Sequence, residues 1–167
     1  MGLFDFFKKD PTTYWNTSSK QKLKLDLNDF SVNKLKLGAA KDEISRFGKP
    51  DNKKAYKNDE FEHVETGLKI FSKNNEVNAF WIAIEEHKYS FGLKEANLTI
   101  VNTLSQQIEV SKGMLRTELI EKLRMKVDET DEDENDIVDY IKTKDNTIEL
   151  ESDKNGKLLQ VNLYITD

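Results

Sequence analysis

An internal repeat constrains the fold of this chain more than any other feature of its sequence. An alternating apolar and polar segment that includes Leu23 recurs later in the chain, where Leu98 takes the place of Leu23. The offset between matched positions then increases, so that Leu68 matches Ile148, and it increases again after the next turn. It changes only where loops are predicted, and loops tolerate insertions better than cores do. The sequence therefore predicts two diverged copies of one structural unit.

Each copy is predicted to contain a strand, a helix and a closing hairpin, in that order. The helices show apolar residues on one stripe, and Asn155-Gly156 is a strong hairpin signal. The fold class is thus predicted as α+β: two tandem strand-helix-hairpin repeats, with each helix packed on one face of an antiparallel sheet. The predicted helices span about 39–47 and 114–124. The predicted domains are an N-terminal amphipathic tail, a first repeat unit and a second repeat unit, at residues 1–19, 20–88 and 89–167.

The alternation of strand side chains divides the predicted sheet into a core face and an opposite face. Buried core beneath the helices is predicted for Ile44, Phe80, Ile82, Ile84, Leu119, Val161, Leu163 and Ile165. The opposite face is then a mixed aromatic and polar surface, which is typical of protein-binding hot spots. Its predicted binding residues are Trp81, Phe71, Tyr164, Lys69 and Asn162.

The N-terminal segment offers an alternative explanation for those aromatic side chains. Leu3, Phe4, Phe6 and Phe7 fall on one side of a short amphipathic helix that Pro11 ends. This tail could fold back and cover the aromatic surface, contact a membrane surface, or contact another protein chain. A dimer interface is a further interpretation of the same surface, so a homodimer stays open.

Composition excludes several classes of protein and site. The net charge of −5 disfavours a general nucleic-acid-binding surface, which needs clustered Lys and Arg. The absence of cysteine excludes disulfides, thiolate nucleophiles and Cys-based zinc sites. No apolar run is long enough for a membrane span, and the first residues lack the apolar region of a secretory signal. We therefore expect a soluble cytoplasmic protein without stable membrane insertion.

Motifs for catalysis or metal binding are missing from the sequence. The two histidines, His63 and His87, are interpreted as surface residues, and no nucleophile motif or phosphate loop occurs. The acidic run 128–136 imitates the start of a calcium loop, but it lacks the required glycine and the closing glutamate. It is interpreted as a solvated loop, with a loose cation site and an acidic partner-binding loop as alternatives. No catalytic residue, metal site or cofactor is predicted.

The segment Gly38–Asp51, followed by a hairpin, resembles a known pattern. It is similar to the helix and turn of the β-lactamase-inhibitor-like superfamily, which includes small outer-membrane assembly lipoproteins. The second copy, from Gly113 to Leu123, keeps the opening of this pattern but not its Gly-x-Pro stop. The resemblance implies a helix-then-hairpin unit carried twice, and it implies that other proteins are the ligands.

Together these observations predict a non-catalytic protein-binding module of unknown target. An immunity-type protein that neutralises a toxin, or an inhibitor-like protein, would have this character. The alternatives are a small-ligand or lipid-binding protein, or an enzyme of unrecognised class. Catalysis predicts a deep pocket with convergent polar groups, whereas protein binding predicts an open and partly apolar face.

Overall fold

The protein is built mainly from β-strands, which short turns connect. A computed structural model describes residues 11–17, 20–55, 59–86 and 92–166. In these residues the strands are, in chain order, β1 (Lys22–Asp26), β2 (Ser31–Val32), β3 (Leu35–Lys36), β4 (Asn52–Ala55), β5 (Asp59–His63), β6 (Leu68–Lys73), β7 (Glu76–Ala83), β8 (Asn97–Val101), β9 (Gln107–Val110), β10 (Glu129–Glu132), β11 (Asp136–Lys142), β12 (Asn146–Asp153) and β13 (Leu158–Ile165).

The strands form a small and a large sheet that share one core. The small sheet has the order β3-β2-β1-β8-β9, and the large sheet has the order β10-β11-β12-β13-β7-β6-β5-β4. Neighbouring strands are antiparallel, apart from β1 and β8, which are parallel. One hydrophobic cluster includes Leu25 and Ile100 of the small sheet with Ile70 and Phe80 of the large sheet. Burial of this shared cluster therefore holds the two sheets together.

The predicted α+β class is wrong, because the described residues contain little helix. Their single α-helix, α1 (Arg116–Leu123), has eight residues. The other predicted helix is a 3-10 helix, Lys41–Phe47. Ile44 and Leu119 of these segments are fully buried, as their apolar stripes predicted. The helical pattern thus located two buried segments correctly but overstated their length and their share of the fold.

The 3-10 helix Lys41–Phe47 is held at both ends. The backbone N–H of Lys41 donates to the carbonyl of Asn75 at 2.9 Å, in the neighbouring hairpin. At the other end, Gly48 leaves the helical conformation with φ near 80°. The helix has only seven residues. So short a segment gains little from α-helical propagation, and tight 3-10 turns are common in short connections.

The two hairpins at the centre of the large sheet have the same pairing register. Ile70 of β6 pairs with Phe80 of β7, and Leu150 of β12 pairs with Val161 of β13. The repeat in the sequence matches Ile70 with Leu150, and Phe80 with Val161. In both hairpins a bulge shifts the register along the first strand. The shift comes one residue after Ile70 in β6 and one residue after Leu150 in β12. The pairing thus agrees with the alignment of the two copies, while the division of the chain into two repeat units stays a prediction.

Each half of the chain contributes four strands to the large sheet, rather than the two of a single hairpin. One of these additional strands lies in the acidic run, residues 128–136. Its interpretation as a solvated loop is wrong for Glu129–Glu132, which form the edge strand β10 with every side chain exposed. Exposed charges on an edge strand discourage pairing with further strands. The acidic side chains therefore protect this edge of the sheet against pairing with a further strand.

His63 is buried, which corrects its interpretation as a surface histidine. Its side chain is 1% exposed, and its ring lies 5.8 Å from the ring of Phe47. Neither ring nitrogen has a hydrogen-bond partner among the described residues. Burial lowers the pKa of His63 to about 4, although the charge of Asp51 acts in the opposite direction. His87, the other predicted surface histidine, lies outside the described residues.

The N-terminal tail is described only in part. Residues 11–17 include a 3-10 helix at Pro11–Tyr14, and Trp15 stacks on Phe61 with ring centroids 5.9 Å apart. The backbone N–H of Lys49 donates to the carbonyl of Asn16 at 2.6 Å. This part of the tail is therefore attached near β5. The predictions for Leu3, Phe4, Phe6 and Phe7 lie outside the described residues.

Candidate functional site

The five predicted binding residues lie together on one face of the large sheet. We call it the outer face, since its side chains alternate with the core residues Phe80 and Val161. Cross-strand pairing places Lys69 beside Trp81, and Trp81 beside Asn162. In the next row, Ala79 pairs with both Phe71 and Tyr164. The alternating pattern of the strands therefore placed these five residues on one face correctly, while their role in binding stays a prediction.

The aromatic part of this face is held in place by Lys69. The rings of Phe71 and Trp81 contact each other with centroids 4.6 Å apart and planes inclined by 58°. The Nζ of Lys69 lies 5.0 Å from the Phe71 centroid and 5.5 Å from the Trp81 centroid. It also forms ion pairs with Glu60 at 2.7 Å and with Glu62 at 3.2 Å. Because these contacts are internal, they fix the two rings before any ligand arrives.

A chain of side-chain hydrogen bonds continues from the aromatic part into the second half of the sheet. Gln160 donates from Nε2 to Oδ1 of Asn162 at 2.7 Å. Asn162 then donates from Nδ2 to Oε1 of Glu149 at 2.6 Å. Gln160 and Asn162 are 3% and 2% exposed. These hydrogen bonds orient the carboxylate of Glu149, which is half-buried beside Tyr164.

A groove of about 510 Å³ opens on this face. Phe71, Trp81 and Tyr164 supply its aromatic surface. Glu149 and Asn78 supply acceptor oxygens, and the Oδ1 atom of Asn78 is buried without a hydrogen-bond partner among the described residues. The volume is within the range of known ligand sites, roughly 300–1,000 Å³. The groove thus combines rigid rings with acceptors that still have hydrogen-bonding capacity.

The end of β13 departs from the predicted core. Ile165 was predicted to be buried beneath a helix, yet it is half-buried and lines the groove. The other predicted core residues are at most 2% exposed. Ile165 is the last residue of its strand and pairs with Asn146, the first residue of β12. A side chain at the end of a sheet has fewer covering neighbours than one in its centre.

Burial shifts the pKa of several titratable groups on the outer face, among them Glu149, Glu151 and Tyr164. It raises the pKa of Glu149, while hydrogen bonds from Asn162 and Tyr164 act in the opposite direction. It raises the pKa of Glu151 to about 7, and the charges of Asp136 and Glu149 add to this rise. Burial and the charge of Glu149 raise the pKa of Tyr164 to about 12. Tyr164 is therefore a neutral hydroxyl at the groove.

The predicted residues differ in how exposed they are. Lys69 and Asn162 are 3% and 2% exposed, so they contact neighbouring side chains and have little surface open to solvent. Glu149 was missed as a binding residue, although its strand position places it on the same face as Glu151. Asn78 had no sequence signal, because it is the extra residue of the bulge in β7. A bulge changes which face a residue joins, and alternation alone cannot locate it.

The described part of the chain contains neither a cluster of metal-ligating residues nor a helix that could span a membrane. No group of three or more His, Cys, Asp or Glu residues there could hold a metal ion. In the acidic run, Oδ1 of Asp133 accepts the backbone N–H groups of Asn135 and Asp136 at 2.6 and 3.1 Å. This carboxylate therefore closes the turn between β10 and β11. None of the described helices is long and apolar enough to cross a membrane.

Comparisons with known proteins give one distant structural likeness. No family model and no curated protein matches the chain. The crystal structure of a cysteine-rich secretory protein from Staphylococcus aureus subsp. aureus Mu50 is similar at 13% sequence identity and a TM-score of 0.48. The match covers 92% of this chain and 48% of that chain, so this chain spans about half its length. At this TM-score the likeness supports no conclusion, and the resemblance to the β-lactamase-inhibitor-like superfamily stays a prediction.

Proposed function

We propose that the protein is a non-catalytic binding module that holds a segment of a second protein in the groove of the outer face. The observation behind this proposal is the meeting of Phe71, Trp81 and Tyr164, from three strands, around one groove. Partly exposed rings with a polar border are the composition of protein-binding hot spots. An immunity-type or inhibitor-like role would use such a surface without any catalytic group.

Preorganisation of the rings favours binding. Phe71 and Trp81 are in mutual contact, and Lys69 lies against both. Side chains that are already ordered lose little conformational entropy when a partner binds. Strand positions also hold the rings more rigidly than loop positions would. The groove is therefore ready to receive an extended segment without rearrangement of the sheet.

Selection of peptides on the intact protein tests this function directly. A random peptide library displayed on phage is selected on the wild-type chain, and the selected peptides are then measured against Trp81→Ala and Tyr164→Ala. We expect both variants to lose most of the binding. Tyr14→Ala is the matched control, because Tyr14 is 73% exposed and lies outside the groove. The control is expected to bind the peptides like the wild type.

The two groove variants protect the test from a folding artefact. Each is checked by its circular-dichroism spectrum and its thermal midpoint before peptides are added. If one variant fails to fold, the other still reports on the groove. Peptides that bind folded Trp81→Ala or Tyr164→Ala as strongly as wild type would contradict the proposed function.

A further inference from the structure

One end of the small sheet is a strand edge beside a groove. β9 is the last strand of this sheet and pairs with β8. A groove of about 680 Å³ is lined by residues 107–109 of β9 and by Glu118 and Glu121 of α1. We call β9 and the side of α1 that lines this groove the β9 edge. A strand edge offers backbone groups to a further extended chain, so the small sheet can gain a strand here.

The pairing register shows which backbone groups of β9 point away from the sheet. The N–H of Asn102 donates to the carbonyl of Gln106 at 3.0 Å, where the ladder of β8 and β9 continues into its turn. Hydrogen-bonded pairs alternate in an antiparallel ladder, so the backbone groups of Ile108 face β8. Those of Gln107 and Glu109 face outward. Each of these two residues therefore presents an N–H and a carbonyl to a further strand.

β9 lacks the features that protect two other sheet ends. β3, at the opposite end of the small sheet, has only two residues, and β10 has exposed acidic side chains. β9 has four residues, and its one charged residue, Glu109, forms an ion pair with Lys22 at 3.0 Å. Leu104, in the turn before β9, is 57% exposed. The β9 edge is therefore longer than β3 and less charged than β10.

Charged side chains follow a simple order along the groove side of α1. Nδ2 of Asn102, beside the start of β9, donates to the carbonyl of Lys122 at 3.1 Å, so α1 runs back along β9. The acidic residues Glu118 and Glu121 come first on the groove lining. The basic residues Lys122 and Arg124 follow. The surface is thus acidic in its first part and basic at its end.

This charge order is complementary to itself when its direction is reversed. A two-fold axis brings a surface against its own copy in the opposite direction. Glu121 of one copy would then lie toward Lys122 of a second copy, and Glu118 would lie toward Arg124. Opposite charges would face each other across the axis, and each pair would occur twice. The partner that this edge matches by charge is therefore a second copy of the chain.

We propose that the β9 edge joins two copies of this chain, with their β9 strands antiparallel across a two-fold axis at Ile108. Gln107 of each copy pairs with Glu109 of the other through the outward backbone groups. The small sheet then continues over ten strands, five from each copy. This interface goes beyond the proposed function, because it uses the small sheet and not the outer face of the large sheet.

The oligomeric state of the full chain tests this interface. Sedimentation velocity over a concentration series is expected to show a monomer–dimer equilibrium for the wild type. Gln107→Pro removes an outward N–H and places a ring at the edge, while the hydrogen bonds to β8 stay. We expect this variant to raise the dissociation constant of the dimer at least about tenfold. Circular dichroism checks that each variant is folded.

Glu132→Pro is the matched control on β10, an edge of the large sheet. The N–H of Asp133 donates to the carbonyl of Asp136 at 3.2 Å, so the N–H of the preceding residue, Glu132, also faces outward. This variant is expected to dimerise like the wild type. Equal weakening by Gln107→Pro and Glu132→Pro would overturn the inference, as would a wild type that stays monomeric throughout the series.

A charge exchange tests the α1 part of the interface without altering any strand. Lys122→Glu places like charges across the axis, and we expect it to weaken the dimer about tenfold. Combining it with Glu121→Lys returns opposite charges to these positions and is expected to return the wild-type dissociation constant. Lys144→Glu, in the exposed turn between β11 and β12, changes the net charge equally and is the control.

The charge variants decide the question even if Gln107→Pro does not fold. Wild-type dimerisation of Lys122→Glu would overturn the inference. So would a double variant that stays as weak as Lys122→Glu, or a Lys144→Glu protein that is weakened equally, because the effect would then not come from charges that meet across the axis.

Discussion

His63 and Glu151 are buried titratable side chains whose pKa values move in opposite directions. Burial lowers the pKa of His63 to about 4 and raises the pKa of Glu151 to about 7. In both residues the main cause is the same, since a low-dielectric surrounding disfavours the charged form. The folded protein therefore favours a neutral ring at one site and a protonated carboxyl at the other. The two sites should give opposite dependences of stability on pH.

For His63, the free energy of unfolding should fall as the pH is lowered from 6.5 to 4. In this window the unfolded ring, with its ordinary pKa near 6.5, binds a proton that the folded ring does not. The stability present above pH 6.5 is thus lost progressively, by on the order of 3 kcal/mol. His63→Leu removes this dependence, and urea unfolding between pH 4 and 8 measures it.

For Glu151, the free energy of unfolding should fall as the pH is raised from 4.5 to 7. Here the folded carboxyl keeps a proton that the unfolded one, with a pKa of 4.5, has released. The stability present below pH 4.5 decreases across this window by on the order of 2 kcal/mol, since nearby solvent screens part of the effect. Glu151→Gln should therefore gain on the wild type as the pH rises. Parallel curves for wild type, His63→Leu and Glu151→Gln would contradict both predictions.

At the scale of elements, a buried ion pair connects α1 to the large sheet. Arg116, at the start of α1, pairs with Asp139 of β11, whose side chain is 1% exposed. Asp139 also accepts a hydrogen bond from Thr130 of β10 at 2.6 Å. One carboxylate therefore joins a helix, the edge strand β10 and its neighbour β11. α1 has no side-chain cap among the described residues, and the backbone N–H of Arg116 donates instead to the carbonyl of Gly156 at 2.8 Å.

Asp139→Ala should destabilise the protein by about 2–4 kcal/mol, because it leaves Arg116 without its counter-ion in a partly buried position. Lys122→Ala is the control on the same helix. It breaks the exposed Lys122–Glu118 pair of 2.7 Å, which should contribute less than about 0.5 kcal/mol. Guanidinium unfolding gives both values. Equal losses in the two variants would show that Asp139 does not anchor α1.

At the scale of the whole molecule, the two halves of the chain meet in both sheets. β1 pairs with β8 in the small sheet, and β7 pairs with β13 in the large sheet. A single hydrophobic cluster contains residues of both halves and both sheets. Neither half can bury its apolar face without the other half. Folding is therefore expected to be cooperative across the whole chain.

This cooperativity can be measured with one substitution in each sheet. Leu98 and Ile82 are both fully buried, the first in the small sheet and the second in the large sheet. Each change to Ala should cost about 2–5 kcal/mol and shift the same unfolding transition. Tryptophan fluorescence and far-ultraviolet circular dichroism should give coincident curves. Separate transitions by the two probes would show that the sheets unfold independently.

Features that depend on neighbours in the sequence were predicted well. The hairpin turn predicted at Asn155-Gly156 connects β12 to β13, and Gly156 has the positive φ, 78°, that glycine adopts readily. The alternation along β7 placed Trp81 and Ile82 on opposite faces, and both are found there. The alignment of the two predicted copies also matches the pairing register of both central hairpins. Such features follow from backbone preferences and side-chain period, which a short stretch of sequence contains.

The remaining features were decided by tertiary structure. His63, Lys69 and Asn162 gave no sign of burial, because residues that contact them lie elsewhere in the chain, such as Phe47 beside His63 and Trp81 beside Lys69. Glu129–Glu132 became an edge strand only because β11 provides a partner, despite a composition typical of solvated loops. The segment after Gly38 is a 3-10 helix and the segment after Gly113 is an α-helix, although the first N–H of each donates to its own hairpin, at Asn75 and at Gly156. The sequence by itself determined turns, faces and register, whereas burial depended on contacts between residues far apart in the chain, which no local pattern contains.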